Sequence, residues 1–471
     1  MINLSNITVV CIDCSKVGES VLSMNKTLAK IRPHSAILFT DIDIQVDGIE
    51  TILIPKIKSK EEYSVFVVKE LYKYIKTSHV LIVQWDSWIL NEDVWTDEFL
   101  EYDMIGALWT YKDKRDNGNG GFSIKSKRLL DILATDPYIE IYHPEDEICG
   151  RLYRTYLEKT HNLKFAPEDL CDLFSFECRQ PYQRTFGFHS FFYQPFKEHV
   201  VIKRSGAIGD IVMVEPLIEY FSKNNYEVVL DIPKDDTKLF SQYPYLIKHI
   251  SQMNPRIKPV KVINLDMAYE KKPKQLVLQS YYEMAGINDG ELRNSRLYLS
   301  QKPSQKIFQK YILIHYDNTN MPHRNSYGVN WAVIVDYYQK LGYLLFQIGN
   351  NPIEHIAPHY NCPTKYMLMY LCKGADLVIA LDSGVAQISV ALGTPTVIMV
   401  GSVDLKLRYS NFEKIGVVQG ECPKKELKNC YHNSINTVGV KCVINENMPP
   451  CSIHNEDNII KETNKLLNNG K

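Results

Sequence analysis

The sequence has almost no charge imbalance, no glycine-rich dinucleotide fingerprint, no C-x₂-C pair among its late cysteines and no apolar leader, and each absence narrows the reading. Its 54 Lys and Arg stand against 55 Asp and Glu, which gives no support to a broadly basic surface for nucleic acid. The opening residues MINLSNITVVCIDCSK carry neither a basic leader nor a long apolar core, so they read as a strand and not a signal peptide, and a cytoplasmic location is expected. Eleven cysteines in such a chain are expected to be mostly reduced and buried. Gly206 and Gly209, three apart in a strand-to-helix turn, miss the G-x-G-x-x-G pattern and speak against a nicotinamide enzyme. At 471 residues the chain is too long for one core, and two or three domains are expected.

The longest nearly uncharged run, Ala375 to Gly401, contains Asp382, Gln387 and Pro395. A lone helix in lipid could not satisfy that carboxylate, so no transmembrane segment is expected. By period the run divides into a buried strand, a tight turn at Asp382-Ser383-Gly384, a short helix ended by Gly393, and a second strand. The turn lies at the carboxyl end of a parallel strand, where ligands of open α/β sheets bind, and the free N–H groups of Ser383 and Gly384 suit a diphosphate.

Upstream, from Asn6 to Tyr111, strand-like and helical runs alternate, with helices expected near Ser15–Ile31 and Glu61–Ile75, as in a parallel-sheet domain. His79–Val83 is apolar on both faces and reads as a central strand. Asp86, just beyond it, is placed to hold a hard divalent cation against a diphosphate. The other reading makes it a turn residue capping a following helix. Glu145 and Asp146 follow Pro144 at a plausible helix start, where acids are favoured by the dipole. His189 lies among aromatics, as a core histidine would.

The strings VQWDSWI, EYDMIGALW, NGGFSIKS, PEDE and FGFHS, in this order over roughly residues 5 to 195, resemble a bacterial and viral domain family of GT-A type and, more distantly, fringe-like inverting glycosyltransferases. The resemblance implies Asp86 as metal ligand, His189 as a second one, Gly120-Gly121 as an acceptor-lining turn and Asp146 as general base, with Mn²⁺ or Mg²⁺ as cofactor. Trp88 stands where the usual Asp-x-Asp pattern has its second acid.

Aromatic, aperiodic residues end this region, with a junction expected at Tyr193–His199. A fresh start follows, Val200 to Lys203 and then RSGAIGD, in which Asp210 either caps its helix or faces an interdomain cleft and deprotonates an acceptor hydroxyl. The strings RSGAIGDIVMVEPL and ADLVIALDSGVAQISVALGTPTVIMVG closely resemble glycosyltransferase family nine, the heptosyltransferases, over roughly residues 198 to 465. That likeness implies a GT-B module of two Rossmann-like halves, Asp210 as base, Asp382 as the acid of the donor motif and Ser383-Gly384 as the diphosphate turn, with Gly206 and Gly209 allowing close approach. Gln387 stands where the family commonly has His. His323 and Arg324 are the nearest candidates for the cation beside the donor phosphates.

The expected architecture is therefore α/β, with a GT-A-like domain over 1–196 and GT-B halves over 197–305 and 306–471. Cys422, Cys430, Cys442 and Cys451 allow a structural zinc or iron site, two disulfides, or four separate thiols. Some relatives that glycosylate proteins carry a four-cysteine metal finger near this position, which favours the first. The function expected is a bifunctional glycosyltransferase using nucleotide-sugar donors. Its acceptor would be a glycan, a lipid-linked glycan, a protein or a modified DNA base, with peripheral membrane association open. The rival reading is a glycan- or nucleotide-binding scaffold with one inactive head, to which Trp88 and Gln387 point.

Overall fold

Parallel β-sheets organise both parts of the chain. The structure is a computed structural model describing all residues except 112, 114, 191, 300–309, 317–320, 351, 352, 354, 355, 363, 434–440 and 469–471. It divides into two units, Met1–Lys197 and Glu198–Lys471. The expected boundary at 305/306 lies outside the described residues.

In the first unit the strands are β1 (Ile2–Ile12), β2 (Ile31–Thr40), β3 (Glu50–Leu53), β4 (His79–Val83), β5 (Ser87–Ile89), β6 (Met104–Gly106), β7 (Phe122–Ser126), β8 (Ser175–Phe176) and β9 (Gly187–His189). The main sheet runs β3-β2-β1-β4-β7-β6. Its first four strands are parallel, and β7 pairs antiparallel with both β4 and β6. All five residues of β4 are buried, as its two-faced apolarity requires of an interior strand. Phe99, Phe122, Phe174 and Phe186 meet beneath it in edge and tilted contacts.

Two registers build the site. Val83 opposite Phe122 sets the residues after β4 beside Gly120-Gly121. Ser87 opposite His189, in the small sheet β5-β9-β8, carries His189 to Asp86. Asp86 is therefore followed by a strand, and it caps no helix. The helix expected over Glu61–Ile75 is also shorter: Lys60–Val65 is α-helical, Phe66–Glu70 widens to a π-turn and Leu71–Lys73 tightens to 3₁₀. The β-branched residues Val65, Val67 and Val68 lower helix propensity there, while Val67, Val68 and Leu71 are buried.

The second unit holds two all-parallel sheets. One comprises β10 (His199–Lys203), β11 (Glu227–Asp231), β12 (Ile247–His249) and β13 (Lys261–Asn264) in the order β12-β11-β10-β13. The other comprises β14 (Tyr311–His315), β15 (Leu344–Ile348), β16 (Leu377–Leu381), β17 (Thr396–Val400) and β18 (Ile415–Gln419) in the order β15-β14-β16-β17-β18. The Ala375–Gly401 run forms buried β16, the helix Gly384–Ala391 and buried β17. Gly393, at φ +75°, ends that helix in the left-handed region. Among the described residues no helix is long and apolar enough to cross a membrane.

Candidate functional site

In the first unit an open cavity of 460 Å³ sits between the carboxyl ends of β1 and β4, where the strand order reverses. Such a switch point is where ligands of α/β sheets bind. Asp13, Lys58, Gln84, Trp85, Gly120 and Asp146 are among its lining residues, as is His189. The turn leaving β4 is pinned by Ser87, whose Oγ accepts from Gln84 N–H and donates to Gly121 O, both at 2.8 Å.

Asp86 and His189 meet: Asp86 Oδ1 lies 3.5 Å from His189 Nε2, and Glu177 Oε1 lies 3.0 Å from Nδ1. Burial pulls the imidazole pKa down, but Asp86 and Glu177 outweigh it and raise the ring to about 9. Gly120 and Gly121 are glycines for contact reasons. A Cβ on Gly121 would come 2.1 Å from His189 Nε2, and one on Gly120 would come 2.6 Å from Glu145 Oε1. Gly120 N–H also donates to Asp146 Oδ2 at 2.8 Å. Burial, and then the charge of Glu145, push Asp146 up to about 7 against the pull of Lys125 and the Gly120 N–H. Trp88 is absent from the cavity lining, and its ring packs edge-on against Phe188.

An orphaned buried oxygen, Asp86 Oδ1, beside an imidazole and a side-chain carbonyl is a donor set suited to a hard or borderline divalent cation. Yet among the described residues no three His, Cys, Asp or Glu side chains stand together as a ready metal site. Glu177 explains why: it faces the opposite edge of the His189 ring from Asp86.

In the second unit the starts of two helices pack head to head. A Cβ on Gly384 would strike Ile208 Cγ2 at 2.0 Å, and one on Gly209 would meet Gln387 Cγ at 3.2 Å and Gly384 Cα at 3.5 Å. Asp210 caps the start of its helix and also reaches a tyrosine. Its Oδ2 accepts from Ala207 N–H at 3.2 Å, while Oδ1 accepts from Tyr269 OH at 2.8 Å. Arg204, 2% exposed, reaches Asp210 Oδ2 at 3.3 Å and Glu270 Oε1 at 2.6 Å. A Cβ on Gly206 would fall 2.5 Å from Asp210 Oδ2.

At the turn before the Gly384 helix, Arg324 Nη2 donates to the Asp382 main-chain oxygen at 2.8 Å and lies 3.2 Å from its Oδ2. Ser383 Oγ sits 3.3 Å from His315 Nδ1. Arg408 stacks over Tyr269 with 4.5 Å to the ring centre. Burial disfavours its charge, but Tyr269, Asp382, Tyr431 and Asp210 together raise its pKa. Gln387 lines a small neighbouring cavity with Arg293 and Arg408.

Cys422, Cys430, Cys442 and Cys451 line one cavity, together with His323 and Ser402. All eleven cysteines are free thiols. Burial, and then the neighbouring sulfurs, raise Cys430, and Cys451 is pushed up to about 11 mainly by burial. Four soft thiols around one cavity are the donor chemistry of tetrahedral zinc or iron. The sulfurs are not drawn in closely enough to form a ready site, and residues 434–440 between two of them are not described. His323, in this lining, adjoins Arg324, and the main chain at 452–454 bonds to Tyr327.

Residues that sequence reasoning missed are Glu177, Lys125, Arg204, Tyr269 and Arg408. Only Arg204 carried a local signal, six residues before Asp210 at the strand end. The others come from distant segments that register and packing bring in.

Comparison with known proteins is uneven along the chain. A family described as a protein of unknown function (DUF5672) matches residues 48–189. No curated protein matches. Among solved structures, the iron-containing dodecameric glycosyltransferase TibC from enterotoxigenic E. coli H10407 is similar at 18% identity and TM-score 0.48, covering 58% of this chain and 77% of TibC. A glycosyl transferase family 9 protein from Veillonella parvula DSM 2008 is similar at 13% identity and TM-score 0.46, covering 59% of this chain and 99% of that one. The ADP-heptose lps heptosyltransferase II of E. coli is similar at 14% identity and TM-score 0.34, covering 58% and 99%.

Proposed function

We propose that the chain is a glycosyltransferase with two transfer sites, one in each unit, both using nucleotide-sugar donors. The observation that carries the reading is the head-to-head approach of Gly209 and Gly384, which brings the helix start of Asp210 against the Asp382-Ser383-Gly384 turn, with Arg324 bonded to Asp382 and Arg408 near both acids. Two guanidiniums and a helix start offer a diphosphate charge compensation. Asp210, steadied by Tyr269 and Arg204, takes the proton of an acceptor hydroxyl as its oxygen bonds to the sugar's anomeric carbon. The bond from that carbon to the phosphate oxygen breaks, and the nucleoside diphosphate leaves with the electron pair.

In the first unit, of GT-A-like character in this reading, Asp146 plays the corresponding base. Its raised pKa matches it to proton transfer near neutrality. The Gly120-Gly121 turn lies against it, so an acceptor can approach closely. Asp86 and His189 would hold a Mn²⁺ or Mg²⁺ ion, which when bound supplies positive charge to the donor diphosphate. The acceptor in this reading is a glycan, a lipid-linked glycan, a protein or a modified base. In the second unit the four late cysteines would hold one structural zinc or iron.

A panel of nucleotide sugars, assayed for transfer and hydrolysis with and without Mn²⁺, tests this. Turnover of one donor lost in Asp210→Ala and of a donor lost in Asp86→Ala is the expected result. No turnover of any donor would leave a glycan- or nucleotide-binding scaffold as the better description.

A further inference from the structure

His189 is gripped from both edges of its ring, and the two grips differ in kind. Behind it, Glu177 Oε1 faces Nδ1 at 3.0 Å. The other oxygen of Glu177 accepts from Asn119 Nδ2, and Asn119 Oδ1 accepts from Gly121 N–H at 3.1 Å. Glu177 is thus tied to the glycine turn at the cavity wall. In front, Nε2 faces Gln84 Oε1 at 3.1 Å and Asp86 Oδ1 at 3.5 Å. The amide of Gln84 is oriented by its own Nε2, which donates to Tyr63 OH at 3.2 Å. That leaves its carbonyl oxygen toward the histidine.

We propose that Glu177 is a positioning residue for a divalent cation: it fixes His189 so that Nε2, Asp86 Oδ1 and Gln84 Oε1 face one point at the cavity wall and bind the ion there. This rests on the reading of Asp86 and His189 as metal ligands and adds the residues that complete and orient the set. When the ion displaces the proton that Nε2 shares with Gln84 and Asp86, the carboxylate on Nδ1 keeps the other proton at that edge, so the Nε2 lone pair is directed to the metal. One nitrogen and two oxygens, one of them a buried carboxylate oxygen with no hydrogen-bond partner, suit Mn²⁺ or Mg²⁺. Gly121 belongs to the same device, since any Cβ there would occupy the space at Nε2.

The test is Mn²⁺ binding to the full chain without donor, followed by the loss of the free-ion electron paramagnetic resonance signal, with melting curves recorded in metal-free buffer. The wild type is expected to bind Mn²⁺ at a site that Asp86→Ala removes. Glu177→Gln, which keeps the shape and removes the charge, is expected to weaken that binding about 10- to 100-fold, with melting unchanged. Glu177→Asp should recover part of the loss. Asn119→Ala, which frees the far oxygen of Glu177, should weaken binding in the same direction and serves if Glu177→Gln does not fold. Wild-type Mn²⁺ affinity in both Glu177→Gln and Asn119→Ala overturns the role of Glu177 and leaves the ligand reading standing. Absence of any Asp86-dependent Mn²⁺ binding in the wild type overturns the ligand reading and this inference together.

Discussion

The two candidate sites solve the same electrostatic problem in opposite ways. In the second unit each acid has a guanidinium of its own: Asp210 has Arg204, Asp382 has Arg324, and Arg408 feels both acids. The first unit lines its cavity with Asp13, Glu145 and Asp146 on one side of the balance and Lys58, Lys60 and His189 on the other, with Asp86 and Glu177 held against the imidazole. A dianionic diphosphate at the Asp382-Ser383-Gly384 turn meets guanidiniums and a helix start already in place, and one entering the first cavity meets acids and cations in near balance. In the reading of Asp86 and His189 as metal ligands, the first site adds a cation to this balance, and the second relies on its guanidiniums.

Metal withdrawal should break this comparison most sharply. Chelation by EDTA is expected to abolish transfer by the first unit and leave that of the second unchanged, with activity restored by Mn²⁺ and not in Asp86→Ala. Equal sensitivity of the two activities would remove the distinction. Next in size, Asp210→Ala should lower transfer by the second unit about 10²–10⁴-fold while nucleotide affinity holds, because a base acts on the acceptor. Comparable loss of nucleotide affinity, read by calorimetry, would make Asp210 a structural cap alone.

The same contrast explains what could be read in advance. The β16 run and the RSGAIGD turn are local motifs, so strand, turn, helix start and their key acids follow from consecutive residues such as Asp382-Ser383-Gly384. The first unit was legible as alternating strands and helices, and Asp86, Asp146 and His189 stood out. Their neighbours did not, because Glu177 reaches His189 only through the pairing of β5, β8 and β9, and Lys125 is buried by the antiparallel turn of β7. Helix limits near Phe66 were lost to packing of β-branched residues, which overrides the sequence period.

The late cysteines sharpen the comparison from the side of the second unit. If Cys422, Cys430, Cys442 and Cys451 converge on one ion, the purified protein should contain about one zinc or iron per chain, and losing a ligand should lower its melting temperature. Because His323 lines the same cavity and adjoins Arg324, Cys430→Ser should also weaken donor binding by the second unit, on the order of 1 kcal/mol or about fivefold, as the bond to Asp382 loosens. Binding by the first unit should not change. Four freely titrating thiols with no metal by elemental analysis would end the idea.

The last effect expected is a pH dependence confined to the first unit. Asp146 has a folded pKa of about 7, raised by burial and then by Glu145 from the ordinary 3.8 of an aspartate. Between those values the folded state holds the proton more tightly than the unfolded chain does. This contribution therefore stabilises at low pH, is lost as pH rises from about 4 to 7, and is flat above. Asp146→Asn has no proton to lose, so its stability relative to wild type should increase across that window, by at most about 1.4 kcal/mol for each pH unit. Comparing variant with wild type at each pH cancels the other titrating groups. Activity should move the other way, since the base must be ionised: transfer by the first unit should rise through about pH 7 and be lost in Asp146→Asn at every pH. A melting difference that does not change between pH 5 and 8 would mean that Asp146 is ionised throughout and sits at the helix start as an ordinary acid.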